Sequence, residues 1–205
     1  MNAVSSQRPN CQDRDICRNQ SLAARTWRMT FNRIIYLGPS EPELRSPKTK
    51  FVFSEDFPRI KALMQVAALQ PGFTAILNAD IVVNDLRKLE SQMMLRGKVC
   101  ASSRRWHFDP NTCDWKAAYL GSDRGRDIFI ARQDIWRKAA REVPEELRIG
   151  NSRWDAWCTD WFRIRHGESF IDFSGQKLIF HPAHESRLRP FDEEISKIHF
   201  HIPAC

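Results

Sequence analysis

The chain has 205 residues, 42% hydrophobic and 28% charged, and its 32 Lys+Arg against 25 Asp+Glu give a net charge of +7. This length suits one domain, and seven Trp with 13 Phe supply a hydrophobic core, which excludes an intrinsically disordered chain. No run of about 18 apolar residues and no signal peptide is present, so we expect a soluble cytoplasmic protein without a membrane span.

The first half of the chain predicts strands that alternate with helices. Short apolar runs predict strands, and apolar side chains three and four positions apart predict helices. The predicted strands are 2–6, 33–38, 50–53, 73–77 and 98–102, and the predicted helices are 19–29, 57–70 and 85–95. This alternation is typical of βαβ units, in which a mostly parallel sheet lies between two layers of helices.

The second half is less regular. A polar loop is predicted over 107–115, and no regular structure is predicted for the tail 187–205. Between them the pattern predicts a strand at 127–131, helices at 135–142 and 154–164, and short strands near Phe170 and Leu178. We therefore predict one three-layer α/β/α domain over residues 1–205 with a mostly parallel, mixed sheet.

Asp80 follows the predicted strand 73–77 in the sequence Asn78-Ala79-Asp80. Ligands of open parallel sheets bind beyond the carboxyl ends of the strands, where a carboxylate is well placed to hold a divalent metal. The alternative is structural, because Asp residues also turn the chain or cap helices without binding anything.

Two further groups carry polar side chains suited to chemistry. His181 and His184 lie three positions apart after a short apolar run and offer nitrogen ligands for a metal, although such a pair is more often structural. Asp155 lies in the first turn of the predicted helix 154–164. It is either a general base that faces the crevice or a carboxylate that complements the helix N-terminus.

Together these motifs resemble the nucleotide-diphospho-sugar transferase (GT-A) fold, in particular small glycosyltransferase-like proteins of bacteria and phages. Asn19-Gln20 through Thr26-Trp27 is similar to the "NQ..AI.SW" helix of that family, and 76–81 (ILNADI) is similar to its "IINSDI" metal-binding turn. Residues 121–130 resemble "GSD.G.DFFVF", 150–157 resemble "IGRPGWDNWL", and His181 and His184 fall at its "HQ.H". The resemblance covers about residues 2–186.

The resemblance implies a metal-dependent glycosyltransferase whose nucleotide-sugar half is about 1–105 and whose acceptor half is about 106–186. Asp80 would bind Mn²⁺ or Mg²⁺, His184 or His181 would complete the metal site, and Asp155 would be the catalytic base. The implied nucleotide-sugar-binding residues are Ser5, Ser6, Arg8, Asn78, Asp80, Asp123, Asp127 and Trp154. Two positions depart from the family pattern: Asn78 replaces the first acid of the usual D-x-D turn, and Asp155 is a lone acid where inverting members often have a pair. The stereochemistry, inverting or retaining, therefore stays open, and so does the alternative of a degenerate site.

Rival functions rest on charge and aromatic residues. The 23 Arg against nine Lys, together with Arg104-Arg105-Trp106-His107-Phe108, favour a polyanionic partner and hence a non-catalytic nucleic-acid-binding protein. Trp154, Trp157 and Trp161 fit a stacking surface too, but their spacing is typical of a helix packed in a core. The two ideas combine if the sugar acceptor is a modified base in DNA. A metal-dependent nuclease or phosphatase that uses Asp80 ranks third.

The six cysteines, none of them in a C-x-x-C pair, argue against a zinc ribbon or a redox pair. We expect reduced thiols, several of them buried as small apolar side chains.

Overall fold

The computed structural model of the protein describes residues 1–6, 14–42, 46–55, 58–120, 125–149 and 153–183. Predicted sites at Arg8, Asp123 and His184, and the tail 187–205, lie outside these residues. The helices are α1 (Arg14–Thr30), α2 (Ile60–Ala67), α3 (Arg87–Leu95), α4 (Gln133–Glu142) and α5 (Trp154–His166). The strands are β1 (Asn2–Ser6), β2 (Ile34–Gly38), β3 (Thr49–Phe53), β4 (Phe73–Leu77), β5 (Val82–Val83), β6 (Cys100–Arg104), β7 (Trp106–Phe108), β8 (Tyr119–Leu120), β9 (Arg126–Arg132), β10 (Phe170–Asp172) and β11 (Ile179–Pro182).

Seven strands form the main sheet in the order β10-β6-β9-β4-β1-β2-β3. β1 pairs in parallel with both β2 and β4, and Val4 lies opposite Ile35 on one side and Ile76 on the other. β9 is antiparallel to its neighbours β4 and β6, whereas the remaining neighbours pair in parallel. The prediction of a mostly parallel, mixed sheet is confirmed.

Helices cover both faces of this sheet. On one face Trp27 of α1 and Leu89 of α3, both 0% exposed, belong to a core with the inward side chains of β1 and β4. On the other face α2, α4 and α5 pack over a second core. The central strands are therefore covered on both sides, which is why β4 and residues 128–131 of β9 are mostly apolar. The three-layer α/β/α prediction is confirmed.

Trp154, Trp157 and Trp161 of α5 are 3%, 4% and 1% exposed and lie in the second core. Their spacing therefore reflects packing against the sheet, as the core interpretation predicts. Among the described residues, no helix is long and apolar enough to cross a membrane.

A second sheet, in the order β5-β11-β7-β8, corrects the prediction of a polar loop over 107–115. Residues 106–108 are a strand there, paired in parallel with β11 and antiparallel to β8. These strands have only two to four residues each. Such lengths are too short for an alternating pattern to stand out in the sequence, so the sheet is specified by packing between distant segments.

Candidate functional site

The chain order in the main sheet reverses between β1 and β4, which places a crevice beyond the carboxyl ends of these two strands. Ser5 is fully buried, and its Oγ donates to the Leu77 carbonyl at 2.6 Å, so it ties the two strand ends together. Ser6 is 4% exposed, and its Oγ has no hydrogen-bond partner among the described residues. A buried hydroxyl without a partner is uncommon in proteins, and this one lies at the end of the strand that borders the crevice.

Residues 78–81, the site turn, follow β4 directly. The Ile81 amide donates to the Asn78 carbonyl at 3.3 Å, and Trp27 Nε1 of α1 donates to the Ile81 carbonyl at 2.6 Å. Asn78 also donates through its side-chain amide to Asp127 Oδ1, and its backbone amide donates to the Asp127 carbonyl at 3.1 Å. The turn is thus held on one side by a helix and on the other by β9.

Asp80 lies in the site turn and faces the small sheet. Its Oδ2 is 3.4 Å from Nε2 of His181 on β11, and His181 is 7% exposed. Asp80 does turn the chain, as the structural alternative proposes, but it also meets the histidine that the sequence singles out. The structure therefore brings two of the three predicted metal ligands together.

His181, His107 and Tyr119 form an aromatic row across the small sheet. His107 lies opposite His181 on one neighbouring strand and opposite Tyr119 on the other. The His107 ring meets His181 edge-on with centroids 5.4 Å apart, and it stacks on Tyr119 with centroids 5.6 Å apart. The row runs outward from Asp80 to Tyr119, which is 61% exposed.

Arg105 joins the two sheets at the point where the chain leaves β6 and enters β7. Its Nη1 donates to Asp127 Oδ2 at 2.6 Å, and its Nε donates to His107 Nε2 at 3.4 Å. Asp127 and Arg105 have side chains 6% and 22% exposed, so the pair is largely shielded from water. Sequence reasoning missed this pairing, since Arg105 stood out only as one cation in a basic and aromatic segment.

Asp155 lies in the first turn of α5, near the start of β9. Its carboxylate accepts hydrogen bonds from the Arg126 amide at 3.1 Å and from the Ala156 amide at 2.9 Å. Burial, and secondarily the nearby negative charge of Asp127, raise the pKa of the Asp155 carboxyl above its ordinary value. The backbone contacts fit the helix-terminus interpretation, and the raised pKa fits a general base.

Two other side chains near the crevice serve packing. The Trp154 ring is 3% exposed and packs on Phe129 in the core, with the ring centroids 5.2 Å apart. Arg126 is 5% exposed and donates to Ser102 Oγ and Asp172 Oδ2. Its guanidinium is therefore used to join β6, β9 and β10.

The described residues supply some of the side chains that a metal site would need. They contain no cluster of three or more His, Cys, Asp or Glu side chains arranged to hold an ion. Asp80 and His181 alone supply one carboxylate and one imidazole, a donor set that suits an ion whose remaining ligands come from substrate phosphates and water.

A separate cavity of about 550 Å³ lies at the start of α2 and contains none of the predicted site residues. Arg59 and Lys61 on its wall both pair with Glu145, so much of its charge is neutralised internally.

The chain matches no protein-family model and no curated protein sequence. Solved structures do match. A protein from Bacillus anthracis assigned as a glucose-1-phosphate thymidylyltransferase superposes with a TM-score of 0.55 at 8% identity, over 98% of each chain. Residues 1–349 of TarS from S. aureus, in complex with UDP-GlcNAc, superpose with a TM-score of 0.57 at 8% identity, over 97% of this chain and 61% of those 349 residues.

The chain has the nucleotide-diphospho-sugar transferase (GT-A) fold. At 8% identity the structural similarity supports the fold alone, because proteins with one fold can have different functions.

Proposed function

We propose that the protein is a metal-dependent glycosyltransferase that moves a sugar from a nucleotide-diphospho-sugar to a hydroxyl acceptor. The observation that carries the proposal is the site turn, which presents Asp80 beside His181 at the reversal point of the sheet. The similarity in fold to TarS, whose structure contains UDP-GlcNAc, supports a donor of this class.

Asp80 and His181 are the described residues that would hold Mn²⁺ or Mg²⁺, with His184 as the predicted third ligand. When bound, the ion supplies positive charge that stabilises the diphosphate as the leaving group. The protein supplies few ligands here, which agrees with ions held by one or two side chains together with substrate phosphates. The unpartnered Oγ of Ser6 lies at the carboxyl end of the neighbouring strand, where it can bond the nucleotide part of the donor.

Asp155 takes the proton of the acceptor hydroxyl in this proposal. The acceptor oxygen forms a bond to the anomeric carbon, the bond from that carbon to the diphosphate breaks, and the proton passes to the carboxylate. A raised pKa makes Asp155 a stronger base than an exposed aspartate, and a well-placed base contributes about 10²–10⁴-fold to a rate. Asp127 raises that pKa further and is itself held by Arg105 and Asn78.

Donor binding tests the proposal without knowledge of the acceptor. A panel of UDP-, GDP-, CMP- and dTDP-sugars with Mn²⁺ is measured by thermal shift. At a donor concentration about 100 times Kd, binding stabilises the fold by about 2.7 kcal/mol, which raises the Tm by about 5–11 °C for a chain of this size. Asp80→Asn should abolish the shift, whereas Asp85→Asn, at an exposed carboxylate five positions along, should keep it. No shift with any donor, or an equal shift for Asp80→Asn, would contradict the proposal.

A nucleotidyltransferase that makes nucleotide-sugars is the second candidate, favoured by the match to the Bacillus anthracis protein over 98% of both chains. It ranks lower because residues 7–13, which follow β1, contain no glycine. Loops that cradle a nucleoside triphosphate through backbone amides are usually rich in glycine. Release of pyrophosphate from a nucleoside triphosphate and a sugar 1-phosphate would identify this activity, and sugar transfer without pyrophosphate release would exclude it.

A further inference from the structure

We infer that the outer end of the aromatic row is the binding site for the acceptor and that the acceptor is a neutral carbohydrate. This inference rests on the proposed function, because it names the second substrate of the same site. Its evidence is the placement of Tyr119 and His107 relative to Asp80 and Asp155.

The aromatic row leads from the metal side of the crevice to the protein surface. His181 contacts Asp80, His107 contacts His181, and Tyr119 stacks on His107 with an angle of 26° between the two rings. Tyr119 is 61% exposed, so the stacked pair presents a large aromatic surface to solvent. Exposed tyrosine that is anchored on one side by another ring offers rigid contact area at little entropic cost, which is typical of binding surfaces.

The same row is connected to the proposed base. Arg105 donates to His107 and to Asp127, and Asp127 is the charge that acts on Asp155. The Arg105–Asp127 pair therefore connects the aromatic row to the proposed base, and Tyr119 precedes by seven positions the residue, Arg126, whose amide donates to Asp155. On this basis we place the acceptor on the outer end of the row.

The local charge favours a neutral ligand over a polyanion. The segment 109–118, which joins β7 to β8, carries Asp109 and Asp114 against Lys116. Nearby cations are engaged elsewhere: Arg105 pairs with Asp127, and Arg18, which donates to Asn111, pairs with Asp15. Nucleic-acid binding depends on Lys and Arg side chains that neutralise phosphates, and among the described residues Arg105 and Arg18 are already paired with carboxylates.

Lys177 belongs to the other face of the sheet. Its Nζ donates to the Lys116 carbonyl at 3.0 Å and lies 4.9 Å from the centre of the Trp106 ring. Trp106 precedes His107 on β7, and successive side chains of a strand point to opposite faces. The face that carries the aromatic row thus combines apolar ring surfaces with polar edges, which suits the apolar C–H face and hydroxyl rim of a pyranose.

Saturation-transfer-difference NMR on the full chain, without donor or metal, tests the inference. The probes are cellobiose, maltose, lactose and N,N′-diacetylchitobiose, with a 12-mer of deoxythymidine as the anionic comparison. We expect transfer to at least one disaccharide, a loss of affinity of about tenfold or more in Tyr119→Ala, and retention in Tyr119→Phe, which keeps the ring. Met94→Ala is the matched control, because Met94 is an exposed apolar side chain, 69% exposed, on α3 and outside the aromatic row.

The outcomes separate this inference from the proposed function. If nucleotide-sugars bind through Asp80 but no disaccharide binds, or Tyr119→Ala binds disaccharides as well as the native chain, the acceptor site is wrong while the glycosyltransferase stands. If disaccharide binding depends on Tyr119 and no donor binds, the carbohydrate site is supported and the proposed glycosyltransferase activity is contradicted. Binding of the deoxythymidine 12-mer that is lost in Tyr119→Ala would overturn the carbohydrate assignment in favour of a nucleic acid.

Discussion

Removal of the Arg105 guanidinium should destabilise the protein more than removal of the charge of its partner. In Arg105→Met the Asp127 carboxylate, whose side chain is 6% exposed, keeps the bond from Asn78 but loses its cation. In Asp127→Asn Arg105 loses its anion but keeps its bond to His107, and its side chain, 22% exposed, can recruit water. The cost of leaving a charge without a counter-ion grows with its burial, so Arg105→Met should lower the free energy of unfolding more than Asp127→Asn does.

The magnitudes follow from the burial of the pair. Breaking a buried ion pair costs about 3–5 kcal/mol, and the partial exposure of Arg105 places Arg105→Met at the lower end, about 3 kcal/mol. For a chain of this length that lowers the Tm by about 6–12 °C. Asp127→Asn should cost about 1–2 kcal/mol, because the amide still accepts one hydrogen bond. The double variant leaves neither charge without a counter-ion, so it should cost about 2 kcal/mol less than the summed costs of the two single variants.

Urea unfolding of the native chain, both single variants and the double variant measures these free energies in one cycle. Arg132→Met is the control, because Arg132 pairs with Asp134 on the surface, where both side chains are about half exposed. Surface pairs of this kind contribute about 0–1 kcal/mol. If Arg105→Met changes the free energy of unfolding no more than Arg132→Met does, or if the cycle is additive within about 0.5 kcal/mol, the reasoning is refuted.

Three further predictions concern buried indole donors, the charge of Asp155 and the reactivity of two cysteines. Trp27→Phe and Trp136→Phe each remove a buried N–H donor to a backbone carbonyl, and each should lower the free energy of unfolding by about 1–3 kcal/mol. Only Trp27→Phe releases the end of the site turn, so only this variant should weaken donor binding in a thermal-shift titration. Equal effects of the two variants on donor binding would contradict this. Asp155→Asn removes the buried charge, but its amide oxygen can accept from only one of the Arg126 and Ala156 amides, so the test is the pH dependence of stability. The raised pKa means that the native chain gains stability as the pH falls through that pKa, and the variant does not, so the difference between the two free energies of unfolding should change in favour of the native chain between pH 7 and about pH 3; a constant difference would contradict the sign. Burial raises the pKa of Cys100 to about 12, so maleimide should label exposed Cys113 in the native chain and reach Cys100 only after denaturation, and rapid native labelling of Cys100 would count against its burial.

The alternating strands and helices were predictable from the sequence because burial leaves a local pattern. β4 is apolar on both faces, and α2 shows apolar residues at helical spacing, since each packs against a large and continuous core. The ends were less accurate: α1 begins at Arg14, five residues before the predicted start, because its first turns are polar and carry little periodicity. α2 ends at Ala67, three residues before the predicted end, and Pro71-Gly72 follows it, where Gly72 adopts a left-handed φ of 72°.

The candidate site was predicted in outline. The position of Asp80 at the end of a strand and of Asp155 at the start of a helix followed from local sequence, because strand ends and helix ends define where the crevice of such a sheet lies. The meeting of Asp80 with His181 did not, since these residues are 101 positions apart and only the small sheet brings them within 3.4 Å.

Local sequence is enough to predict which segments form strands and helices, which of their faces are buried, and which polar residues lie at strand ends. The contact partners of those residues depend on the tertiary fold. Arg105 reaches Asp127 across 22 positions and Asn78 reaches it across 49, and both contacts exist because β4, β6 and β9 are neighbours in the sheet. Composition and periodicity record whether a residue is buried, but the identity of its neighbour depends on strand order, which is set by the packing of the whole chain.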